Sequence, residues 1–162
     1  MTAIQLRTVT AKDAGFLFSV MNTGSILEAL NEVPTTFSDW QNAIQDWNKD
    51  EDEEDYIILW EDTPVGWLGI NGLSSSNRNV YLKIVALLPE YQGFGTGAAA
   101  IRQIIQMLQQ RGYSRVSLYT DQDNSKAQAC YRKCGFQITE SLMDESSNGK
   151  MVPRYKMTLK LS

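Results

Sequence analysis

Histidine is absent from this sequence of 162 residues, and cysteine occurs only twice. Without histidine the chain can perform neither Ser-His-Asp nor Cys-His catalysis and can offer no imidazole to zinc. Its chemistry must therefore come from carboxylates, tyrosine, thiol, the backbone or a cofactor. Cys130 and Cys134 are too few for a disulfide framework or a four-ligand metal site. We expect a reducing, cytoplasmic setting, no bound metal, and cysteines that serve as small buried apolar residues.

Long apolar runs are also missing. The longest strongly apolar stretch is 84–88, far too short to span a bilayer, and the N-terminus lacks a basic stretch followed by an apolar one. We expect neither secretion nor membrane insertion. A chain of this length can bury enough surface to fold without disulfide or metal cross-links, whereas two domains would each lie near the lower size limit for a stable domain. One domain over residues 1–162 is therefore the prediction.

Charge is divided unevenly along the chain, although the net charge is only −4. Residues 1–76 contain 13 acidic and 3 basic residues, and residues 77–162 contain 6 acidic and 12 basic ones, which gives −10 and +6. The acidic run Asp50–Asp55 predicts a solvated loop between a helix and a strand; the alternative is that it attracts a cationic substrate. The basic part suits a small anion such as a phosphorylated cofactor, and the net charge argues against a nucleic-acid partner.

The hydrophobic pattern predicts a mixed α+β fold. An irregular segment covers 22–34, and Ser38 to Gln41 has the spacing of a capping box ahead of a helix. A strand, a helix and another strand in succession make two of the strands, 80–88 and 115–120, parallel within an otherwise antiparallel sheet. The predicted strands are 4–9, 56–60, 65–70, 80–88, 115–120, 136–142 and 154–161. The predicted helices are 10–21, the one after the capping box, 97–110 and 125–133.

A glycine-rich loop, Gln92–Gly97, lies between a strand and the start of a helix, where free backbone N–H groups and the helix dipole favour an anion. A P-loop is excluded because Ala98–Ala100 stands where Lys and Ser or Thr are needed. A dinucleotide-binding site is an alternative, since Gly95, Gly97 and Ala100 fit its fingerprint and Asp121 could accept from a ribose hydroxyl. Against it, extra residues separate the strand from the first glycine.

Two motifs carry a resemblance to a known family. The segment 85–97 resembles the acyl-CoA-binding motif of the GNAT superfamily of N-acetyltransferases, whose pattern Gln/Arg-x-x-Gly-x-Gly/Ala is filled by Gln92, Gly95 and Gly97. The family's second motif, an asparagine, then a tyrosine and then Gly-Phe, appears as Asn124, Tyr131 and the pair at 135–136. The resemblance implies a mostly antiparallel, strongly twisted sheet of about seven strands with about four flanking helices.

The resemblance also implies a site for acetyl-CoA as co-substrate. The pantetheine arm would pair with the backbone of the strand before the loop, and the pyrophosphate would lie on the amides of the loop. The cofactor-binding residues implied are Val85, Ala86, Leu87, Gln92, Gly93, Phe94, Gly95, Thr96, Gly97, Ala98 and Asn124. Further candidates for the phosphates, against the alternative of solvated surface side chains, are Lys126, Arg132 and Lys133.

Tyr131 matches the general acid of the family. A phenol with a pKa of about 10 keeps its proton at neutral pH and can donate it to a departing thiolate. The alternative is that Tyr131 is only a core residue of its helix. The general base cannot be transferred, because the position that is acidic in some members is Tyr119 here. Glu28 and Glu32, in the segment that commonly lines the acceptor site of the family, are the candidates, against ordinary surface carboxylates.

The implied reaction is direct attack of an amine on acetyl-CoA in a ternary complex. The acceptor is expected to be a cationic small molecule or a protein N-terminus, because the acidic first part of the chain supplies the acceptor side. The alternatives are a non-catalytic acyl-CoA sensor and the NAD-binding protein considered above. We expect no nucleic-acid or membrane partner, and a homodimer through the last strands stays open. The tryptophans, either core residues or cation-π walls for the acceptor, are Trp40, Trp47, Trp60 and Trp67.

Overall fold

The computed structural model describes residues 3–162 and contains one seven-stranded sheet with helices on both faces. The strands are β1 (Ile4–Thr8), β2 (Glu53–Trp60), β3 (Thr63–Asn71), β4 (Asn79–Leu87), β5 (Arg115–Asp121), β6 (Gln137–Glu145) and β7 (Met151–Lys160). The helices are α1 (Ala14–Met21), α2 (Gly24–Leu30), α3 (Phe37–Lys49), α4 (Thr96–Gln110) and α5 (Ser125–Lys133). The strand order is β1-β2-β3-β4-β5-β7-β6. Only β4 and β5 are parallel neighbours in the described chain, which confirms the predicted fold class.

Two hydrophobic layers hold the sheet between its helices. Neighbouring side chains of β2 point to opposite faces, so Ile58 packs with α4 whereas Ile57 packs with α1 and α3. The inner face of α4 includes Ile104 and Leu108, both buried, at the spacing that the sequence predicts. Each fully buried side chain of this kind stabilises the fold by about 1.5–3 kcal/mol. These layers fix the positions of β4 and α4, which flank the glycine loop.

The prediction of an irregular segment over 22–34 was wrong, because α2 lies within it. Ile26 is the buried residue of this helix and packs into the layer formed by α1 and α3. The helix ends at Asn31, whose φ of 54° is left-handed. A helix of 7 residues with one buried side chain is too short to produce a periodic signal, and tertiary packing decides its conformation.

The capping box of α3 also differs from the prediction. Thr36, not Ser38, caps the helix: its Oγ1 accepts from the Asp39 backbone N–H at 3.1 Å, and the Asp39 carboxylate accepts from the Thr36 N–H at 2.8 Å. Both residue pairs have spacing that suits a capping box, so the sequence alone did not distinguish them. The helix therefore begins at Phe37, before the predicted start.

The acidic run at 50–55 is a loop only in its first part. Its last three residues begin β2, and Asp55 is 4% exposed. Asp55 faces the same side as Ile57, toward the layer of α1 and α3, because side chains of a strand alternate. The predicted solvated loop was therefore wrong for residues 53–55, and a carboxyl group lies inside the protein.

Candidate active site

The sheet opens between its two parallel strands. Residues 79–81 of β4 pair with 115–117 of β5, and beyond these positions the two strands make no further pairs within the described chain. β4 continues to pair with β3, and β5 with β7, on their other sides. The inner edge of β4 from Leu82 to Leu87 therefore presents backbone N–H and C=O groups that have no strand partner. An extended ligand that contains amides can bond to such an edge.

A cavity of about 370 Å³ lies at this opening. Its wall includes Val85 of β4, Asp121 of β5, Asn124 just before α5, Tyr131 of α5, and Glu32 after α2. Three residues from the two sequence motifs thus meet in one place although they come from different elements. Ala86 does not line this cavity; it is 4% exposed and packs into the layer of α1 and α3.

The loop between β4 and α4 has the backbone geometry of an anion-binding turn. Gly93 and Gly95 have φ values of 86° and 79°, which glycine adopts without the cost that a side chain brings. The Gln92 side-chain amide donates to the Leu87 carbonyl at 3.0 Å and so ties the loop to the end of β4. Gln92 therefore positions the loop through a contact within the protein.

The start of α4 leaves donors free at this loop. The first amide to bond within the helix is that of Ala99, which donates to the Gly95 carbonyl at 3.0 Å. The amides of Thr96, Gly97 and Ala98 precede it and have no helical acceptor. Thr96 is buried, and its Oγ1 has no hydrogen-bond partner in the described structure. Phe94 is 68% exposed, with its ring edge-on to Trp60 at a centroid distance of 5.7 Å.

Tyr131 is held by α5 at the wall of the cavity. The Asn124 side chain caps this helix by accepting from the Ala127 N–H at 3.3 Å, so the asparagine of the motif also sets where α5 begins. The Tyr131 ring lies edge-on to Phe136, with centroids 6.1 Å apart. Burial raises the pKa of the Tyr131 phenol above its ordinary value. The phenol therefore holds its proton throughout the physiological pH range.

A network of polar side chains forms the opposite wall. The Asp121 carboxylate accepts from the Asn31 amide at 2.6 Å and from the Arg154 Nε at 2.9 Å. Arg154 also donates to Asp144 at 2.8 Å. Asp121, which the dinucleotide alternative assigned to a ribose hydroxyl, is thus occupied by partners within the chain. The network joins the end of α2 to β5 and β7.

The two glutamates considered as the general base differ in their placement. Glu32 lines the cavity, and its carboxylate accepts from the Ser147 hydroxyl. Glu28 is exposed on α2 and is not part of the cavity wall. The structure therefore brings only Glu32 of this pair to the site.

A cluster of charged side chains around the buried Asp55 lies beside the cavity, and sequence reasoning missed it. The Lys83 ammonium, whose residue also lines the cavity, pairs with Glu53 and lies 3.3 Å from Asp55 Oδ1. Asp55 Oδ1 also accepts from the Trp67 indole at 2.8 Å, while its Oδ2 has no partner in the described structure. Burial, together with the neighbouring Glu53 carboxylate, raises the pKa of Asp55 to about 8. The alternation of side chains along β2 could have predicted that Asp55 faces the layer of α1 and α3. It could not have predicted that Asp55 lies opposite Lys83.

The tryptophans do not form a wall for an acceptor. Trp40, Trp47 and Trp67 cluster in or against the layer of α1 and α3, with Trp40 and Trp67 centroids 5.3 Å apart. Trp60 packs beside the glycine loop. None of the four tryptophans lines the 370 Å³ cavity. Their placement therefore favours core side chains over walls for an acceptor. The Lys83 ammonium lies 4.5 Å from the Trp47 ring centroid and 5.1 Å from that of Trp67, so these tryptophans make their cation-π contacts within the protein. Lys126, Arg132 and Lys133 are exposed on α5.

A mixed sheet that separates between two parallel strands, followed by a glycine-rich turn at a helix start, is the architecture to be compared with known proteins. The model of the acetyltransferase (GNAT) family matches residues 25–136. The chain therefore belongs to the GNAT acetyltransferase family. Residues 3–162 contain no helix that is long and apolar enough to cross a bilayer.

Relatives of this chain include mycothiol and spermidine acetyltransferases. A mycothiol acetyltransferase of Corynebacterium glutamicum is 33% identical over 97 residues, which are 59% of this chain and 32% of the relative. The chain thus spans about a third of the length of the first of these relatives. The spermidine N(1)-acetyltransferase of Escherichia coli is 24% identical over 149 residues, which are 88% of this chain and 77% of the relative.

Solved structures share the whole fold. The spermidine N-acetyltransferase of Vibrio cholerae, solved in complex with CoA and spermine, has a TM-score of 0.87 and 20% identity. The superposition covers 97% of this chain and 95% of that one. At this identity the likeness establishes the fold.

Proposed function

We propose that this chain is an acetyl-CoA-dependent N-acetyltransferase that joins the acetyl group to an amine by direct attack in a ternary complex. One observation carries the proposal. The opening between β4 and β5 is lined by residues 82–85 of the unpaired edge of β4 and by Tyr131, and β4 leads on to the glycine loop, where the first amides of α4 have no helical acceptor. Membership of the GNAT family supplies the reaction class.

The residues present fit acetyl-CoA. The backbone at Val85–Leu87 would bond the amides of the pantetheine arm, because this edge has no strand partner. The loop amides from Gly93 to Ala98 would hold the pyrophosphate, whose negative charge is stabilised by the start of α4. Asn124 caps α5 and so fixes where this helix begins beside the cofactor. When bound, acetyl-CoA supplies the activated acetyl group.

Tyr131 is the proposed general acid. Its phenol stays protonated, because burial raises its pKa, and it can therefore donate to the sulfur of the leaving thiolate. Glu32 is the proposed general base. Its carboxylate lines the same cavity and can take the proton from the acceptor ammonium, either directly or through one water molecule. No covalent enzyme intermediate is needed, because the two substrates can meet within one cavity.

The proposed acceptor is a cationic amine. Lys83 and Arg154 are the basic residues of the cavity wall; Lys83 pairs with the Glu53 carboxylate, and Arg154 pairs with Asp121 and Asp144. Glu32 adds a further carboxylate with no ion-pair partner in the described structure. Acids therefore outnumber bases around the cavity, and the field attracts positive charge. The relatives named for spermidine agree with this choice, and a protein N-terminus is the second acceptor class.

The first test is thermal stability with acetyl-CoA, CoA and NAD. A ligand at 100 times its Kd stabilises the folded state by about 2.7 kcal/mol, so acetyl-CoA should raise the Tm and NAD should not. Stabilisation by NAD alone would refute the proposal. Release of CoA thiol is then measured with spermidine, an aminoglycoside, an N-terminal peptide and a neutral amino-acid amide. The cationic amines should react fastest, with a preference that salt weakens. Binding without transfer to any amine would instead support the sensor alternative.

Replacing the proposed acid tests the mechanism. Tyr131→Phe should lower kcat by about 100-fold or more and leave acetyl-CoA affinity nearly unchanged, because the hydroxyl acts on the leaving group. Tyr113→Phe is the matched control, since the Tyr113 hydroxyl donates to the Leu73 carbonyl at 2.8 Å and lies outside the cavity. Its kcat should stay near that of the wild type. Equal turnover in both variants would remove Tyr131 from the acid role.

A homodimer through the last strands is part of the proposal. β6 is the outer strand of the sheet, and most of its residues are exposed. Met143 of β6 is 59% exposed, and Met151, at the start of the neighbouring β7, is 60% exposed. A long uncovered edge strand can pair with that of a second copy. Light scattering during gel filtration should give twice the mass of one chain, and Met143→Lys should shift it toward the mass of one. A single-chain mass for the wild type would exclude the dimer.

A further inference from the structure

Two tyrosines lie side by side in the wall of the 370 Å³ cavity, and the proposed reaction uses neither. Tyr81 of β4 and Tyr119 of β5 have nearly parallel rings, with 6° between their planes and 6.0 Å between their centroids. Tyr81 pairs with Ser117 at the last position where the two strands are joined, and Tyr119 follows on the same face of β5. The stacked pair therefore lies where the strands begin to separate.

The tyrosine pair is on the same face of the sheet as Glu32. Leu82 and Leu118, each next to one of the tyrosines, pack into the layer of α4, so the tyrosines point to the opposite face. Helix α2 packs on that face through Ile26, and Glu32 follows this helix and lines the same cavity. An acceptor whose amine reaches Glu32 therefore occupies the cavity that the tyrosines line.

Tyr119 leaves much of its ring open to this cavity. The residue is 45% exposed, and in the described chain the Tyr81 ring is the aromatic group that stacks on it. Removal of such surface from water is favourable, and offset-stacked aromatic rings gain a further attraction. The Tyr119 ring can therefore take a flat apolar group as a third member of the stack.

Positive charge beside the pair decides which group fits there. The Lys156 ammonium lies 5.7 Å from the Tyr81 ring centroid. Lys156 is opposite Glu140 in the pairing of β6 with β7, but it makes no ion pair within the described structure. A second ammonium of the acceptor, placed on Tyr119, would be repelled by this uncompensated charge. A neutral aromatic ring would not be repelled.

We propose that Tyr81 and Tyr119 form the specificity-determining surface of the acceptor site, and that the preferred acceptor is an arylalkylamine. Its ring stacks on Tyr119 and its ammonium is directed to Glu32. This inference rests on the proposed function and narrows the cationic amines to those with one ammonium and an aromatic group. The two tyrosines hold the acceptor and take no part in proton transfer, so they act on KM and not on kcat.

The first experiment compares three amines with the wild-type protein by release of CoA thiol. Phenethylamine has an aromatic ring, cyclohexylethylamine has an apolar ring without π electrons, and cadaverine has a second ammonium. We expect kcat/KM to fall in this order. Equal values, or cadaverine as the best acceptor, would overturn the proposal. Lys156→Met should raise kcat/KM for cadaverine relative to the other two amines, because the repelling charge is gone.

The second experiment replaces the exposed ring. Tyr119→Leu should raise the KM for phenethylamine by about three- to tenfold, leave kcat near that of the wild type, and remove the preference over cyclohexylethylamine. Tyr119→Phe keeps the ring and should retain the wild-type KM. Phe18→Leu is the matched control, since Phe18 is 37% exposed and lies outside the cavity. An unchanged KM in Tyr119→Leu would overturn the proposal.

Calorimetry with phenethylamine and no cofactor separates this inference from the proposed function. If no amine is acetylated, the proposed function fails, and binding that Tyr119→Leu weakens would still support the aromatic surface. If neither acetylation nor binding is seen, both fail. If amines are acetylated without a preference for the aromatic ring, the inference fails and the proposed function stands.

Discussion

The buried carboxyl group of Asp55 should make the stability of this protein fall as pH rises. Its pKa is raised from 3.8 to about 8 in the folded state, so the folded protein retains a proton that the unfolded chain loses above about pH 4. Each pKa unit corresponds to about 1.4 kcal/mol. Across this window the contribution of Asp55 should therefore decline by on the order of 5 kcal/mol, and it should stay constant above about pH 8.

Asp55→Asn is the variant that isolates this contribution. The amide keeps an oxygen for the Trp67 indole, which donates to Asp55 at 2.8 Å, but it cannot ionise. Urea denaturation from pH 4 to 9 then gives the free energy of unfolding for both proteins. The free energy of unfolding of Asp55→Asn minus that of the wild type should rise by up to about 1.4 kcal/mol per pH unit between pH 4 and 8. Glu51→Gln removes an exposed carboxyl of the same run and serves as the control.

Lys83 provides an independent check on the same cluster. Its ammonium lowers the pKa of Asp55, so Lys83→Met should leave the carboxyl protonated to higher pH and extend the decline beyond pH 8. A difference between Asp55→Asn and wild type that does not change with pH would refute the reasoning, because it would mean that Asp55 titrates alike in the folded and unfolded states.

Three further substitutions test the core, the loop and the acceptor wall. Ile104→Ala should reduce the free energy of unfolding by about 2–5 kcal/mol in urea denaturation, because the side chain is 1% exposed under the sheet; a loss below 1 kcal/mol would contradict its core role. Gly95→Ala should cost about 1–2 kcal/mol through backbone strain alone and weaken acetyl-CoA binding in calorimetry, since φ is 79° and a Cβ would meet nothing within 4 Å. Asp121→Asn should raise the KM for a cationic acceptor more than that for acetyl-CoA, because it removes a negative charge from the cavity wall; equal effects on both would argue against acceptor binding at this wall.

Many of the elements of this fold were predictable because they depend on neighbours along the chain. The apolar spacing of Ile101 to Leu108 defines a buried helix face, and the run Ser125–Lys133 was predicted with the bounds that the structure has. The parallel pairing of β4 with β5 follows from the helix that joins them. The short helix α2 was not predictable, because its stability comes from packing of Ile26 and not from a repeating pattern.

In the candidate site, too, some features were predictable from the sequence and others required the structure. The loop glycines and the positions of Asn124 and Tyr131 follow from motifs, since a turn with positive φ and a helix cap are local requirements. The placement of Glu32 at the cavity, and the exclusion of Glu28, required the structure.

The sequence by itself determined the order of the strands and of the longer helices, the glycine-rich turn before α4 and the family to which the chain belongs, because each is encoded by residues close together in the chain. Only the tertiary structure decided that Asn31 bonds to Asp121 across 90 residues and that Lys83 lies beside the buried Asp55. These contacts depend on sheet register and on how far the parallel strands separate. Register and separation arise from the packing of all the layers together, and no short segment of sequence specifies them.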